Sequence, residues 1–310
     1  MRLVVFAFFI PSLVISLICP HSSLAQPLPD YIRIEQITGV KGSLINEERV
    51  FKISKPRNDV PVSVDGRLLS PFMGLGSWAA FTPSAAGGTM VMGDMVLFED
   101  EVNAVMSVAL ESGFAVTALH NHFFYDEPRV YFMHITGSGE EATLARGIKK
   151  IWDKSSEIRA ANRIPAKSFE PTPAVVSPNK LTIALLESYL GMKGQSQDGM
   201  FKIVLGRIAH MHGTPLNKEM GVNTWAAFAG SDDEAIIDGD FAVTEDELQS
   251  VLKSMRHDNF NIVAIHQHMT KEKPRILFLH YWGKGNVIHL ASGFRNALTA
   301  QAGTSTHPTK

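Results

Sequence analysis

The chain has 310 residues, of which 45% are hydrophobic and 19% are charged, and its formal net charge is −2. These values are typical of a globular protein with enough apolar side chains for one large core or two smaller ones. The nearly balanced charge argues against a nucleic-acid partner and against adhesion to an anionic membrane, because both need a basic surface.

The first 25 residues have the pattern of a secretory signal peptide. Arg2 precedes an apolar stretch over residues 3–18, and Ser23 and Ala25 are the small residues that cleavage after Ala25 requires. We therefore expect an exported protein, periplasmic or secreted, that has no membrane span once the signal peptide is removed. An uncleaved membrane anchor is the alternative, but it needs a longer uninterrupted apolar span.

Cysteine is almost absent from the chain. Cys19 is the single cysteine, and it lies inside the predicted signal peptide. The mature protein would then have no disulfide and no thiolate nucleophile or ligand. Histidine would have to supply any soft-metal coordination.

The rest of the chain forms two segments with the same order of predicted elements: helix, four strands, helix, two strands and helix. Apolar residues at helical or alternating spacing, ended by glycine, indicate these elements. The first segment has predicted helices at 28–39, 99–112 and 140–160. Its predicted strands lie at 50–53 and 78–81, in a further strand that ends at Asp94, and around His120 and His134. The second segment has predicted helices at 181–191, 245–257 and 287–300. Its predicted strands lie at 201–204 and 225–228, in a further strand that ends at Asp240, and around His266 and His280.

The domain organisation follows from this duplication. The predicted parts are a signal peptide (1–25), an N-terminal repeat (28–160), a proline-rich linker (161–180), a C-terminal repeat (181–300) and a disordered tail (301–310). This order of strands and helices favours an α+β fold of two homologous repeats, each a mainly antiparallel sheet with helices packed on one face.

A histidine motif stands in both repeats. Phe114-Ala-Val-Thr-Ala-Leu-His120-Asn-His122 precedes Pro128-Arg129 and His134, and Phe260-Asn-Ile-Val-Ala-Ile-His266-Gln-His268 precedes Pro274-Arg275 and His280. Because residues i and i+2 of a strand point to the same face, the two histidines of each His-x-His project side by side. Such a pair is a half-site for Zn²⁺ or another divalent transition metal. The metal ligands that this motif predicts are His120, His122, His266 and His268.

These motifs resemble those of one known family. The Trp-Ala-Ala-Phe segments at 78–81 and 225–228, and the His-x-His followed by Pro-Arg and His, resemble the bacterial LppY/LpqO family, a domain of unknown function found in exported proteins and lipoproteins. The resemblance covers nearly the whole mature chain and implies export but no particular reaction. Bulky Ile18 precedes Cys19, where a lipobox has a small residue, so the resemblance carries over export without lipidation.

The C-terminal repeat has a second His-x-His, His210-Met-His212, where the N-terminal repeat has Ser63-Val-Asp65. If the strand of His210 and His212 lies beside the strand of His266, three or four ring nitrogens converge on one ion. We therefore expect the better-furnished metal site in the C-terminal repeat.

The third histidine of each motif lies further away in a simple hairpin register. If His120 lies opposite Tyr131, His134 is about 10 Å further along its strand, at about 3.3 Å per residue. That distance is too long to share an ion. For His134 and His280 a ligand role and a buried, hydrogen-bonded role both stay open.

The acidic residues have structural explanations. Asp94 and Asp240 each follow a glycine at a predicted strand end and are expected to be turn residues, unless a pocket reaches them. Glu101 and Glu247 stand at helix starts, where capping and the helix dipole favour a carboxylate.

Two functions are compatible with these patterns. The first is an exported protein with a divalent-metal site, acting on a small molecule as a metal-dependent hydrolase or another metalloenzyme. The second is a non-catalytic envelope binding or scaffold module whose histidines are structural. The chain has no P-loop and no Gly-x-Ser-x-Gly elbow, which disfavours a nucleotide enzyme or a serine hydrolase.

Overall fold

The structure is a computed structural model that describes residues 27–165 and 178–305. Its fold is α+β with mostly antiparallel strands, and the predicted order of the main elements is confirmed in both repeats. The N-terminal repeat comprises α1 (Tyr31–Thr38), β1 (Gly42–Ile45), β2 (Val50–Pro56), β3 (Ser63–Val64), β4 (Arg67–Leu68), β5 (Gly76–Pro83), β6 (Thr89–Phe98), α2 (Val102–Glu111), β7 (Ala115–His120), β8 (Asp126–Glu127), β9 (Val130–Gly139) and α3 (Glu141–Ala161). The C-terminal repeat comprises α4 (Ile183–Leu190), β10 (Gln195–Gln197), β11 (Met200–Gly206), β12 (Ala209–Met211), β13 (Thr214–Leu216), β14 (Asn223–Gly230), β15 (Ala235–Thr244), α5 (Glu245–His257), β16 (Asn261–His266), β17 (Ile276–Gly285) and α6 (Val287–Ser305).

Three predicted segments fall wholly or partly outside the described residues. These are the signal peptide, most of the linker and the end of the tail, at 1–26, 166–177 and 306–310. The tail does not begin at 301 as predicted, because α6 continues through Ser305. Among the described helices, none is long and apolar enough to cross a membrane.

The two repeats share one continuous sheet of twelve strands, in the order β1-β2-β5-β6-β9-β7-β16-β17-β15-β14-β11-β10. The second half of this order mirrors the first, so an approximate two-fold axis relates the repeats at the boundary between β7 and β16. These two strands are antiparallel and pair at Leu119 and Ile265. The sequence predicts a sheet in each repeat, and the structure joins the two edge to edge, which protects both inner edges.

Side-chain amides reinforce this boundary. Asn103 Oδ1 on α2 accepts a hydrogen bond from the backbone N–H of Ile262 at 2.8 Å. Gln249 on α5 accepts from the N–H of Val116 at 3.0 Å and donates to its carbonyl at 2.9 Å. Asn103 and Gln249 occupy equivalent places in the two repeats, so these bonds obey the approximate two-fold axis. These amides give hydrogen-bond partners to backbone groups of β7 and β16 that lie outside the single pair of residues joining the two strands.

All six described helices contribute to a principal core on one face of the sheet, with strand residues such as Met95, Ile135, Phe241 and Tyr281. This arrangement confirms the predicted packing of helices on one face. The opposite face, called the open face below, carries two small apolar clusters that involve the β3–β4 and β12–β13 segments. Large areas of the open face are therefore free for polar side chains.

A β-bulge in β7 decides which residues reach the open face. The register of β7 against β9 shifts between Val116 and Ala118, and the same shift recurs in β16. Val116 and Leu119 both join the principal core, although strict alternation would put residues three apart on opposite faces. His120, the next residue, therefore lies on the open face.

Gly239 in β15 lies opposite Tyr281 in β17. A Cβ on Gly239 would lie 2.1 Å from the Tyr281 hydroxyl and 2.3 Å from the Trp225 carbonyl, which that hydroxyl hydrogen-bonds. We expect Gly239→Ala to lower the free energy of unfolding by about 1–3 kcal/mol, measured by chemical denaturation. Gly93→Ala is the matched control and should lose less stability. Gly93 lies opposite Ile135 in the neighbouring strand, and a Cβ on Gly93 would lie no closer than 2.9 Å to any atom beyond its chain neighbours. An equal loss in both variants would contradict this account.

Candidate functional site

Three side chains bring their ligand atoms together on the open face of the C-terminal repeat. Asp240 lies within β15, His266 ends β16, and His268 follows in the next loop. One ligand atom from each lies within 4.8 Å of the other two. His268 Nε2 and Asp240 Oδ2 are 3.3 Å apart, close to the edge of a tetrahedron with metal–ligand distances of about 2.0–2.2 Å. The three side chains therefore form a candidate metal-ion site.

Two contacts orient the His268 ring. The ring stacks on Phe278 with centroids 3.5 Å apart, and Nδ1 lies 3.1 Å from the carbonyl oxygen of Gly221. A carbonyl can only accept a hydrogen bond, so Nδ1 carries a proton and Nε2 is directed toward Asp240. In metal sites a ligating histidine commonly donates its other N–H to a carbonyl in this way.

Burial changes the proton affinities of this group. The Asp240 side chain is 4% exposed; burial raises the pKa of its carboxyl, although the nearby histidines oppose that shift. Burial also lowers the pKa of His266. Asp240 Oδ1 and His266 Nδ1 are buried and have no hydrogen-bond partner in the described part of the chain. Such atoms cost about 1–3 kcal/mol each, and a bound cation would offset the burial of the carboxylate.

His280 lies closer to the group than the sequence predicts. Its ring is parallel to that of His266, with centroids 4.7 Å apart, and its Nδ1 lies 3.3 Å from the Gly239 carbonyl. In the N-terminal repeat the rings of His120 and His134 are 5.1 Å apart. The expected spacing of about 10 Å was wrong, because the strands pair one residue further along and the two histidines become diagonal neighbours.

The N-terminal repeat has the corresponding residues Asp94, His120, His122 and His134 in a different arrangement. His120 Nε2 and His122 Nε2 are 3.2 Å apart, whereas His134 Nδ1 lies 4.0 Å from Asp94 Oδ1. Burial lowers the pKa of His120 and of His122, and it raises the pKa of Asp94. His122 thus contacts His120, whereas its counterpart His268 contacts Asp240. The ligand atoms of the N-terminal repeat therefore form two separate pairs, His120 with His122 and His134 with Asp94.

The two clusters adjoin at the repeat boundary. Since Leu119 pairs with Ile265, His120 and His266 are diagonal neighbours on the open face, about 7–8 Å apart. The open face therefore carries a continuous row over six adjacent strands: Asp94, His134, His120, His266, His280 and Asp240. Four imidazoles flanked by two carboxylates cross the approximate two-fold axis, which places the site at the junction of the repeats.

The other predicted ligands lie on a separate hairpin. His210 is in β12, which pairs with β13 outside the main sheet, and His212 is in the turn between them with a φ of 52°. Both are exposed, and neither belongs to the group of three. Asp240 supplies the third ligand atom instead. It is a buried mid-strand residue, so its predicted place in a turn was wrong, as was that of Asp94.

Fold and site together define a duplicated α+β protein whose repeats meet at a row of histidines. The chain belongs to the family described as Domain of Unknown Function (DUF1259), whose family model matches residues 32–154 and again 184–300. The two matches coincide with the two repeats, which confirms the internal duplication. No curated protein matches the chain.

Among solved structures, two microcompartment shell proteins align weakly. One is the trimeric bacterial microcompartment shell protein PduB, with 8% identity, coverage of 85% of this chain and 93% of that chain, and a TM-score of 0.21. The other is a double-ringed trimeric shell protein from the RMM microcompartment, with 9% identity, coverage of 70% and 83%, and a TM-score of 0.17. At these TM-scores neither likeness bears on the fold or the function.

Proposed function

We propose that this protein binds a divalent transition-metal ion, Zn²⁺ or a similar ion, through Asp240, His266 and His268. The observation that carries the proposal is the approach of three ligand atoms to within 4.8 Å of one another. Two imidazoles and one carboxylate are a donor set that zinc and other first-row divalent ions accept. Asp240 takes the place that the sequence analysis gives to His210 and His212.

The contact between His268 and Asp240 supports a shared cation. With Nδ1 donating to the Gly221 carbonyl, the Nε2 atom of His268 faces a carboxylate oxygen of Asp240 3.3 Å away. Two lone pairs at this distance repel unless a proton or a metal ion lies between them. A divalent metal ion shared by the two atoms meets this requirement.

A second, weaker ion site in the N-terminal repeat is part of the same proposal. His120 and His122 already hold their Nε2 atoms 3.2 Å apart, which is also close to a tetrahedral edge. The Asp94 carboxylate is not part of this pair, so a histidine ring must rotate before the carboxylate and both Nε2 atoms can bind one ion. That reorganisation lowers the affinity of the site for the ion. The C-terminal site is therefore occupied first.

With three protein ligands, a tetrahedral ion keeps one position for water or substrate. Such an ion lowers the pKa of bound water and polarises a carbonyl, so the site suits metal-dependent hydrolysis. The competing hypothesis is a non-catalytic envelope module with structural histidines, and it requires that no metal bind.

The proposal also places the protein outside the cytoplasm, as a member of the LppY/LpqO group. The signal-peptide pattern over residues 1–25 and the repeated Trp-Ala-Ala-Phe and histidine motifs support this placement. N-terminal sequencing of the mature protein, expected to begin at Gln26, checks it.

Zinc binding is expected to weaken as the pH falls. Protons compete with the ion at all three ligands, and the raised pKa of Asp240 lets its carboxylate take up a proton at a higher pH than an ordinary aspartate does. The lowered pKa of His266 delays the protonation of that ring. Calorimetric titration of chelator-stripped protein with Zn²⁺ at about pH 7.5 and about pH 5, on either side of the ordinary histidine pKa of about 6.5, measures the effect. Absent binding at the higher pH, or tighter binding in acid, would contradict the proposal.

A further inference from the structure

A cleft of about 740 Å³ opens on the open face beside Asp240 and His268. It extends from these residues across β14 and β11 to the edge of the sheet at β10, with Lys218 and Glu219 of the short 3₁₀ helix Lys218–Met220 on its rim. Its charged and ionisable lining consists of Lys193, Lys202, Lys218, Glu219, Asp240 and His268. The proposed ion thus lies at one end of a cleft and is accessible from solvent.

Among the lysines of this cleft, Lys202 is the one without a carboxylate partner in the part of the chain that the structure describes. Lys193 is paired with Glu187 at 2.6 Å, and Lys218 with Glu219 at 3.1 Å. In the described ranges, Lys202 has no carboxylate within 4.0 Å; its ammonium instead lies 4.4 Å from the ring centre of Trp225. The Trp225 contact holds the charge over the cleft floor without neutralising it.

One strand of the sheet, β14, separates the strand of the Lys202 ammonium from the strand of Asp240. Trp225 in β14 pairs with Val204 in β11 on one side and with Asp240 in β15 on the other. Two strand spacings, about 9–10 Å, separate the two strands, and Lys202 lies two residues along β11 from Val204, so the backbones of Lys202 and Asp240 are about 12 Å apart. Trp225 lies between them, so a ligand that spans this distance would cover the indole.

We propose that the cleft binds a small anionic molecule, a phosphate ester or a carboxylate, with its anionic group on Lys202 and another oxygen on the metal ion. This assignment rests on the metal site proposed above and adds the class of its ligand. It also makes anion binding dependent on the metal, because the bare Asp240 carboxylate repels an anion and a divalent ion reverses that charge.

The N-terminal repeat offers a matched control. Lys52 lies 4.3 Å from the ring centre of Trp78, and Trp78 pairs with Asp94 in the neighbouring strand. The same trio of lysine, tryptophan and aspartate therefore stands beside the weaker ion site. Lys52→Ala removes an equivalent exposed charge outside the cleft.

The test is calorimetric titration of the full-length mature protein, loaded with one equivalent of Zn²⁺ so that the weaker N-terminal site stays empty, with glucose 6-phosphate, glutarate and glucose. We expect one or both anions to bind and neutral glucose not to bind; the phosphate and carboxylate arms separate the two sources of the anionic group. Lys202→Ala is expected to weaken anion binding by about tenfold or more, whereas Lys52→Ala leaves the Kd unchanged. Both lysines are exposed, so neither change should unfold the protein.

The outcomes separate this proposal from the metal proposal. Metal content is measured first, and a wild-type protein that binds no zinc overturns the metal site itself. If zinc binds but neither anion does, or if glucose binds as well as the anions, the ligand class is wrong while the metal site stands. An unchanged Kd in Lys202→Ala, or equal anion binding to zinc-free protein, also overturns the assignment.

Discussion

Replacing both His266 and His268 with alanine is expected to remove the tightly bound metal ion. The loss of affinity should exceed about 100-fold, because removing even a hydrogen-bond partner of a metal ligand costs about 10- to 100-fold. The remaining carboxylate of Asp240 offers one ligand, which is too few to retain zinc. Elemental analysis of protein purified without chelator measures the loss, and circular dichroism verifies that the fold is kept.

The matched control is the double replacement of His120 and His122 by alanine. It removes the same residue types from the equivalent strand and loop, but it leaves the group of three ligand atoms intact. We expect this variant to keep the tightly bound ion and to lose at most a second, weaker one. Equal and negligible metal in both variants and in the wild type would favour the scaffold hypothesis.

The repeats and their element order could be predicted because apolar periodicity and the doubled histidine motif are local features of the sequence. The union of the two sheets could not, since it depends on one ladder pair, Leu119 with Ile265, and on the amides of Asn103 and Gln249. The spacing of apolar residues is the same in a strand at the edge of a sheet and in a strand that pairs with the sheet of the other repeat. The row of histidines across the boundary is a consequence of that union.

Within the site, sequence reasoning found the histidine pair and missed the carboxylate. His266 and His268 are two residues apart, so strand geometry alone relates them. Asp240 reaches them across two strand pairings, through His280 opposite it in β17. The glycine before it suggested a strand end, although Gly239 is needed mid-strand to accommodate Tyr281. The available signal was the recurrence of Gly-Asp at the same place in both repeats.

His210 and His212 show the opposite error. Their spacing is that of a ligand pair, and their convergence with His266 required β12 to lie beside β16. Instead β12 closes on β13 through a short turn, and its outer edge bonds to Lys273. A hairpin that pairs with itself has the same local pattern as a strand of the main sheet, so the sequence favoured the wrong neighbour.

Glu101 is a second buried carboxylate, and its role is structural. It is fully buried, and its carboxylate accepts hydrogen bonds from Arg57 Nη1 at 2.6 Å, from Arg57 Nη2 at 2.9 Å and from the Phe98 backbone at 3.0 Å. Arg159 Nε lies 2.8 Å from its other side, and both arginine side chains are 6% exposed. Helix capping therefore accounts for only part of its environment, since it also neutralises two buried guanidinium groups.

Glu101→Ala is expected to lower the free energy of unfolding by about 3 kcal/mol, the lower end of the cost of breaking a buried ion pair, because Arg57 and Arg159 keep Asp59 and Asp100 as their other partners. Chemical denaturation measures the loss. Glu247→Ala is the matched control at the equivalent helix start: Glu247 pairs with Arg207, whose side chain is 24% exposed, and accepts from the neutral amide of Gln301. Water can solvate Arg207 when its partner is removed, so the control should lose clearly less stability. A loss in Glu101→Ala no greater than that in Glu247→Ala would show that the shared anion is not what stabilises the N-terminal repeat there.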